Sequence, residues 1–272
     1  MSEALPKLHF ANRAAVITGA GSGIGRALAL HAARQGMQVA LADIDAAALA
    51  AVEQEIKTLG TECFFAVVDV RNRDQLDTFA ERVFSTFDSV ALVFANAGVM
   101  RAATSWLQPS ADWDLIVDIN LKGAAHTAAA FIPKLLAQNA AAQLIFTGST
   151  SAFSPRPQIA AYSCTKHALW GLAEAMYLEL KTLDAPVSIS FLAPSGVRTA
   201  IFDTPSQAPG GEVQDMLRAA IEAMGMPPEQ LAEITFAALR ERKFWILPHP
   251  DFKESLQRRI DRIVAEQPPK FG

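Results

Sequence analysis

Short runs that are apolar throughout alternate with longer amphipathic ones along most of this chain. RAAVITGA at 13–20 reads as a buried strand, GIGRALALHAARQG at 23–36 as a helix closed by Gly36, and QVALADI at 38–44 as the next strand. The rhythm repeats through a helix at 45–60 stopped by Gly60, a strand at 62–70, a helix at 73–87 and a strand at 89–98. A long helix around 111–137, the strand AQLIFTGS, a helix beginning near Tyr162 and the strand VSISFLAPSG follow. Strands apolar on both faces, with helices between them, predict a parallel sheet covered on both sides: a doubly wound, Rossmann-like α/β domain. From about residue 200 to 226 Pro and Gly interrupt a helical patch, which reads as a lid-like excursion. One more helix and strand then lead to a helical tail at about 250–272.

Composition sets the outer bounds. With 272 residues, 51% of them hydrophobic, the chain can bury a substantial core as a single domain spanning 1–272. A net charge of −4 argues against nucleic acid or an anionic membrane surface as a partner. Arg258, Arg259 and Arg262 read as a solvated helix face. No apolar run approaches bilayer-spanning length, and MSEALPKLHF lacks the basic and apolar regions of a signal peptide, so a cytoplasmic location is expected. Cys63 and Cys164 have no CxxC partner and the histidines show no ligand spacing, so neither a disulfide framework nor a metal site is expected. Cys164, between Tyr162 and Lys166, could be a reactive thiol, but reads better as a small residue facing the helix interior.

Chemistry gathers at three places. TGAGSGIG, Thr18 to Gly25, offers glycines that let a backbone turn tightly ahead of a helix N-terminus, the arrangement that binds a pyrophosphate. Glycine-rich turns also serve simply to pack a helix closely on a strand. Asp43, 24 residues after Gly19 and at the end of the second strand, can accept hydrogen bonds from ribose hydroxyls and repel a 2′-phosphate, which points to NAD over NADP. Asp45 is the better candidate for capping the helix that follows. Tyr162, one of two tyrosines in the chain, stands four residues before Lys166, so on a helix the two share a face.

Taken together, these residues resemble the short-chain dehydrogenase/reductase family over roughly residues 10–200. TGAGSGIG looks like its cofactor loop, with Gly19, Ser22, Gly23, Ile24 and Gly25 facing the dinucleotide. Asp69 and Val70 resemble the pair that contacts adenine. Asn96 to Gly98 resembles the NAG segment that stabilises the central sheet, with Ala95 in place of a usual Asn. Asn120 matches the catalytic Asn, Ser149 the catalytic Ser thirteen residues before the Tyr, and Tyr162 with Lys166 the YxxxK pair. Pro194, Val197 and Thr199 in PSGVRT resemble the segment beside the nicotinamide, with Ser195 replacing a Gly.

The physical reading agrees with the resemblance. An ammonium near the Tyr162 hydroxyl favours the phenolate, and the positive ring of the oxidised cofactor adds to this, so Tyr162 is expected to exchange a proton near neutral pH. The resemblance implies that Ser149 donates a hydrogen bond to the substrate oxygen, that Lys166 also holds the nicotinamide ribose, and that Asn120 completes a proton relay through water. Thr147, Thr150 or Ser151 could equally be bonding the loop around Ser149, Asn120 could be a turn residue, and Thr199 a helix cap.

The expected activity is NAD-dependent interconversion of a secondary alcohol and a ketone. Ile201, Phe202, Met216, Leu217, Met224 and Met226 favour a hydrophobic or aromatic small-molecule substrate, although the same side chains could simply pack the excursion onto the domain. Trp245 and LPHPDF could approach the pocket or a neighbouring subunit. By resemblance the chain forms a homo-oligomer, a tetramer or a dimer. A non-catalytic NAD-binding redox sensor and a 3-oxoacyl thioester reductase are the alternatives; the first is opposed by the presence of both Tyr and Lys, the second by Asp43 and the acidic balance.

Overall fold

A computed structural model describes residues 8–202 and 212–270; the lid expected at about 200–226 therefore lies partly outside the described residues. Among these residues a seven-stranded sheet runs in the order β3-β2-β1-β4-β5-β6-β7, every neighbouring pair parallel. The strands are β1 (Ala14–Thr18), β2 (Gln38–Asp43), β3 (Cys63–Val67), β4 (Val90–Ala95), β5 (Ala142–Thr147), β6 (Val187–Leu192) and the short β7 (Trp245–Ile246). Order reverses between β1 and β4. Chains leaving those two strands diverge to opposite sides and leave a crevice at their carboxyl ends, where ligands bind in sheets of this kind.

The all-apolar strand pattern has a direct structural cause. Alternate residues of β1 feed separate cores: Ala14 and Val16 join the side chains of α3 (Arg73–Thr86), α5 (Ala124–Ala137) and α6 (Ala160–Thr182). Ala15 and Ile17 join those of α1 (Gly23–Arg34), α2 (Ala46–Thr58) and α8 (Pro228–Arg240) on the other face. With a period of two and both faces covered, neither parity can be polar.

The predicted long helix is two helices, α4 (Ser110–Val117) and α5, joined through one wide turn of π-helix at Asp118–Gly123. Within Ser110–Ala137 an 18-residue window reaches a mean hydropathy of 1.2, so the run is long and apolar enough to cross a bilayer, contrary to the expectation that no run approaches that length. Its apolarity is explained by packing: Ile116, Ala128, Phe131 and Leu135 are buried in the protein core. Past β6 the chain forms α7 (Glu212–Met224), and the excursion's two ends are stitched by a bridge between Val197 and Met226. The tail is helical, as α9 (Phe252–Val264), with Phe252 and Leu256 packed on the core and Ile263 and Val264 exposed. Cys164 is exposed rather than turned inward: α6 presents Tyr162, Ser163, Thr165 and Lys166 to the protein and leaves position 164 on the outer side.

Candidate active site

A cleft of about 1060 Å³ opens at the carboxyl ends of the strands, over the β1–β4 crevice. That lies at the upper end of the roughly 300–1,000 Å³ typical of ligand pockets. One half begins at the glycine loop. Gly19 has a φ of +65°, and a Cβ there would stand 2.8 Å from the Ala97 Cα. A Cβ on Gly25 would run into the Gly19 carbonyl, so the loop closes only because both lack side chains. Ser22, the N-cap of α1, makes no side-chain capping bond, and the first turn holds no acidic residue. The first amides of α1 are thus left to an incoming anion.

Asp43 closes the same half. Its Oδ2 accepts from the Gly21 amide at 2.9 Å and its Oδ1 from the Asp45 amide at 3.2 Å, which fixes the carboxylate on the cleft wall. Asp45 does the capping, accepting from the Ala47 and Ala48 amides at 2.9 and 3.0 Å. Asp69 is held by Arg71, with Nη2 to Oδ2 at 2.6 Å, and that contact keeps its carboxyl below the usual range. Asn96 ties the strand ends together: its Nδ2 donates to the Thr18 carbonyl at 3.0 Å, and its Oδ1 accepts from the Thr147 hydroxyl at 3.1 Å.

In the other half the start of α6 carries Tyr162 and Lys166 into the protein, both buried. Lys166 Nζ donates to the Thr147 carbonyl at 2.7 Å and lies 5.5 Å from the centre of the Tyr162 ring. Ser149 Oγ accepts from the Ser151 amide at 3.0 Å, which turns its own proton towards the Tyr162 oxygen. Burial pushes the Tyr162 phenol up to about 12, against a hydrogen bond with Ser149 that pulls the other way, and pushes the Lys166 ammonium down to about 8. The sequence led us to expect a depressed phenol. The difference is desolvation: both groups prefer their neutral forms in this dry corner, and the ammonium is turned to a carbonyl.

Gly19, Ser22, Gly23, Ile24, Gly25, Asp43, Asp69, Val70, Asn96, Gly98, Ser149, Tyr162, Lys166, Pro194, Val197 and Thr199 all line this one cleft. Asn120 is behind its wall. It sits in the π turn, 1% exposed, with Oδ1 accepting from the Val99 amide at 2.8 Å and Nδ2 donating to the Val99 carbonyl at 2.9 Å. Of the excursion residues, Ile201, Phe202, Leu217, Met224 and Met226 line the cleft, whereas Met216 is 71% exposed. Trp245 packs instead in an aromatic cluster with Phe153, Trp170, Phe191 and Phe244. LPHPDF does reach the cleft, through His249, whose Nδ1 accepts from the Ser195 amide at 3.2 Å. Sequence reasoning missed Arg156, Ile159 and Met100 on the wall; no spacing marks them, because the loops that bring them there come from separate strands.

Comparison with known proteins gives the chain its relatives. Positions 13–209 match the short chain dehydrogenase family. A short chain dehydrogenase/reductase from Burkholderia phymatum, solved in complex with NAD, superimposes with a TM-score of 0.93 at 32% identity, covering 97% of this chain and 99% of that one. A CLA biosynthesis dehydrogenase/reductase from Lactiplantibacillus plantarum is 27% identical over 275 residues, 96% of either chain. The 1-deoxy-11-beta-hydroxypentalenate dehydrogenase of Streptomyces exfoliatus is 29% identical over 269 residues, 96% of this chain and 93% of the other.

Proposed function

The chain belongs to the short-chain dehydrogenase family and is an oxidoreductase acting on a CH–OH group with a nicotinamide cofactor; on that premise we propose that it interconverts a secondary alcohol and a ketone, using NAD. The observation that carries the reading is the buried Tyr162, flanked by Ser149 and Lys166, at the junction of the polar and apolar halves of the cleft. The glycine loop and the uncapped start of α1 fit a pyrophosphate, and Asp43 fits a ribose diol. Ile44, beside it, is exposed and apolar and offers nothing to a 2′-phosphate. Arg71, the cation on that wall, is already matched by Asp69. Val70, Gly98, Pro194, Val197 and Thr199 complete the cofactor's half of the wall.

When bound, the nicotinamide supplies the hydride acceptor or donor. The protein's part is the proton. With its pKa near 12, Tyr162 is a full phenol at neutral pH and can protonate the oxygen of a ketone as it becomes an alkoxide. Ser149, whose acceptor side is satisfied by the Ser151 amide, donates to the same oxygen where charge develops. Lys166 places positive charge beside the ring in the direction that favours the phenolate, which is what the reverse reaction requires. Asn120 holds the Val99 backbone and stands beside Gly98, which the Lys166 ammonium also approaches, and a proton relay to water would begin there.

The other half of the cleft, walled by Met100, Ile159, Phe202, Leu217 and Ile221, suits a hydrophobic or aromatic substrate. A relative named as a hydroxypentalenate dehydrogenase supports an alcohol as the reduced partner. The reading extends to a homo-oligomer, dimer or tetramer, since Leu178 and Leu183 at the end of α6 and its loop, with Ile263 and Val264 on α9, stand exposed.

The deciding experiment follows NADH formation at 340 nm over a panel of apolar secondary alcohols, with NADP in parallel and with Tyr162→Phe as control. We expect one class of alcohol to turn over with NAD, and Tyr162→Phe to lose about 10² to 10⁴ in rate while still binding the cofactor. Tight NAD binding with no turnover of any alcohol or ketone would favour a sensor, and a preference for NADP would overturn the role given to Asp43.

A further inference from the structure

The charged groups of the cleft fall into two sets. Asp43, Asp45, Asp69 and Arg71 lie at the β2–β3 end, where Arg71 is paired with Asp69, and the Lys166 ammonium is bound to the Thr147 carbonyl. That leaves Arg156. Its side chain is exposed at the cleft wall and, among the described residues, makes no hydrogen bond or ion pair.

Its backbone is unusually well fixed for a loop. Pro155 and Pro157 flank it, Gln158 adopts a left-handed φ of 67°, and the Gln158 carbonyl accepts from the Ala103 amide at 2.7 Å. The next residue, Ile159, is buried in the apolar cluster that holds Tyr162, Met100 and Phe202. A guanidinium therefore stands on a stiff ledge at the rim of an apolar pocket, six residues from the reacting phenol, with its donors unspent. Holding the ledge in place spares the backbone's share of the ordering cost and leaves only the side chain's own rotamers to be fixed on binding.

Resting on the alcohol–ketone reading above, we infer that Arg156 binds a carboxylate, so that the substrate is an apolar secondary alcohol or ketone bearing a carboxylate away from the reacting carbon. A single guanidinium presents two parallel N–H groups and one positive charge, which match a carboxylate. A phosphate or nucleotide tail asks for a second cation close by, and among the described residues the other Lys and Arg side chains lining the cleft are Arg71, matched by Asp69, and Lys166, buried beside Tyr162 at the reacting end. The apolar wall between Arg156 and Tyr162 takes the hydrocarbon that joins the two ends of such a substrate.

The test compares secondary hydroxy acids, varied in the spacing of hydroxyl and carboxylate, with their methyl esters, on wild type, Arg156→Gln and Arg156→Lys. A second arm needs no turnover: calorimetric titration of the NADH-loaded protein with decanoate and with decanamide. Wild type is expected to favour acid over ester by about tenfold in kcat/KM, between the values of an exposed and a buried charged hydrogen bond, chiefly through KM. Arg156→Gln brings the ratio close to one, Arg156→Lys keeps part of it, and added salt reduces it in wild type. Decanoate binds more tightly than decanamide in wild type and equally in Arg156→Gln. Equal use of acid and ester by wild type, or loss of both alike in Arg156→Gln, overturns the assignment. If neither acid nor ester reacts but decanoate binding still depends on Arg156, the anion site stands and the alcohol–ketone reading is what fails.

Discussion

At the scale of single residues, Lys166 and Tyr162 make the folded chain pay for its chemistry. The Lys166 pKa falls from 10.5 to about 8 on folding, so its charged form costs stability at every pH below 8, and the cost is relieved as pH rises from 8 to 10.5. For Tyr162 the value rises from 10 to about 12, so its contribution is intact below pH 10 and is lost between 10 and 12. Without cofactor, wild type should therefore gain stability from pH 8 to 10 and lose it above. Lys166→Met removes the buried charge while keeping the stem, and should melt a few degrees higher than wild type at pH 7, with the gap closing towards pH 10.5. Thermal melts at a series of pH values read this directly; a variant less stable than wild type at pH 7 would show that the Thr147 bond outweighs desolvation. The identity of these residues was legible in the sequence, because spacing on a helix decides which side chains share a face. Their titration was not, since desolvation depends on what other segments lay over them. Arg156 was invisible for the same reason: its place is made by a hydrogen bond to Ala103, far off in the chain.

At the scale of elements, the strands and most helices could be read from periodicity, because a sheet covered on both faces leaves no polar parity to mislead. The break between α4 and α5 could not. Its π turn conserves the amphipathic pattern while shifting the helical phase, and that shift turns Asn120 onto the Val99 backbone. The turn ends at Gly123, where an added Cβ would stand 2.6 Å from Val70 Cγ2, a stiff β-branched side chain on the cleft wall. Gly123→Ala should consequently lower stability by about 1–3 kcal/mol, the usual cost of overpacking, and weaken NAD binding by displacing Val70. Adding Val70→Ala frees that space. In a double-mutant cycle, denaturant melts of Gly123→Ala/Val70→Ala should show a favourable coupling; simple additivity would mean that position 123 acts through the helix and not through the contact.

At the scale of the whole molecule, the last segment serves the sheet and the cleft at once. β7 adds the outer strand beside β6, with its Trp245 set among Phe153, Phe191, Trp170 and Phe244, and three residues beyond that strand's end His249 holds the Ser195 amide at the cleft wall. Past Leu256 the chain contributes little: α9 buries no residue fully, and everything from Ile263 to Lys270 is exposed. Tolerance of truncation follows burial of what is lost, not distance from the terminus. A chain ending at Ala265 should keep the melting temperature and NAD affinity of the full protein. One ending at Phe244 loses β7, opens the aromatic cluster and frees Ser195, and should be either insoluble or unfolded at a temperature far below wild type. An intermediate cut after Asp251 separates the two roles, since it keeps β7 and His249 but removes Phe252 and Leu256 from the core. It should bind NAD when folded and melt lower, and if it instead melts with wild type but no longer binds, the tail acts on the cleft and not on the sheet.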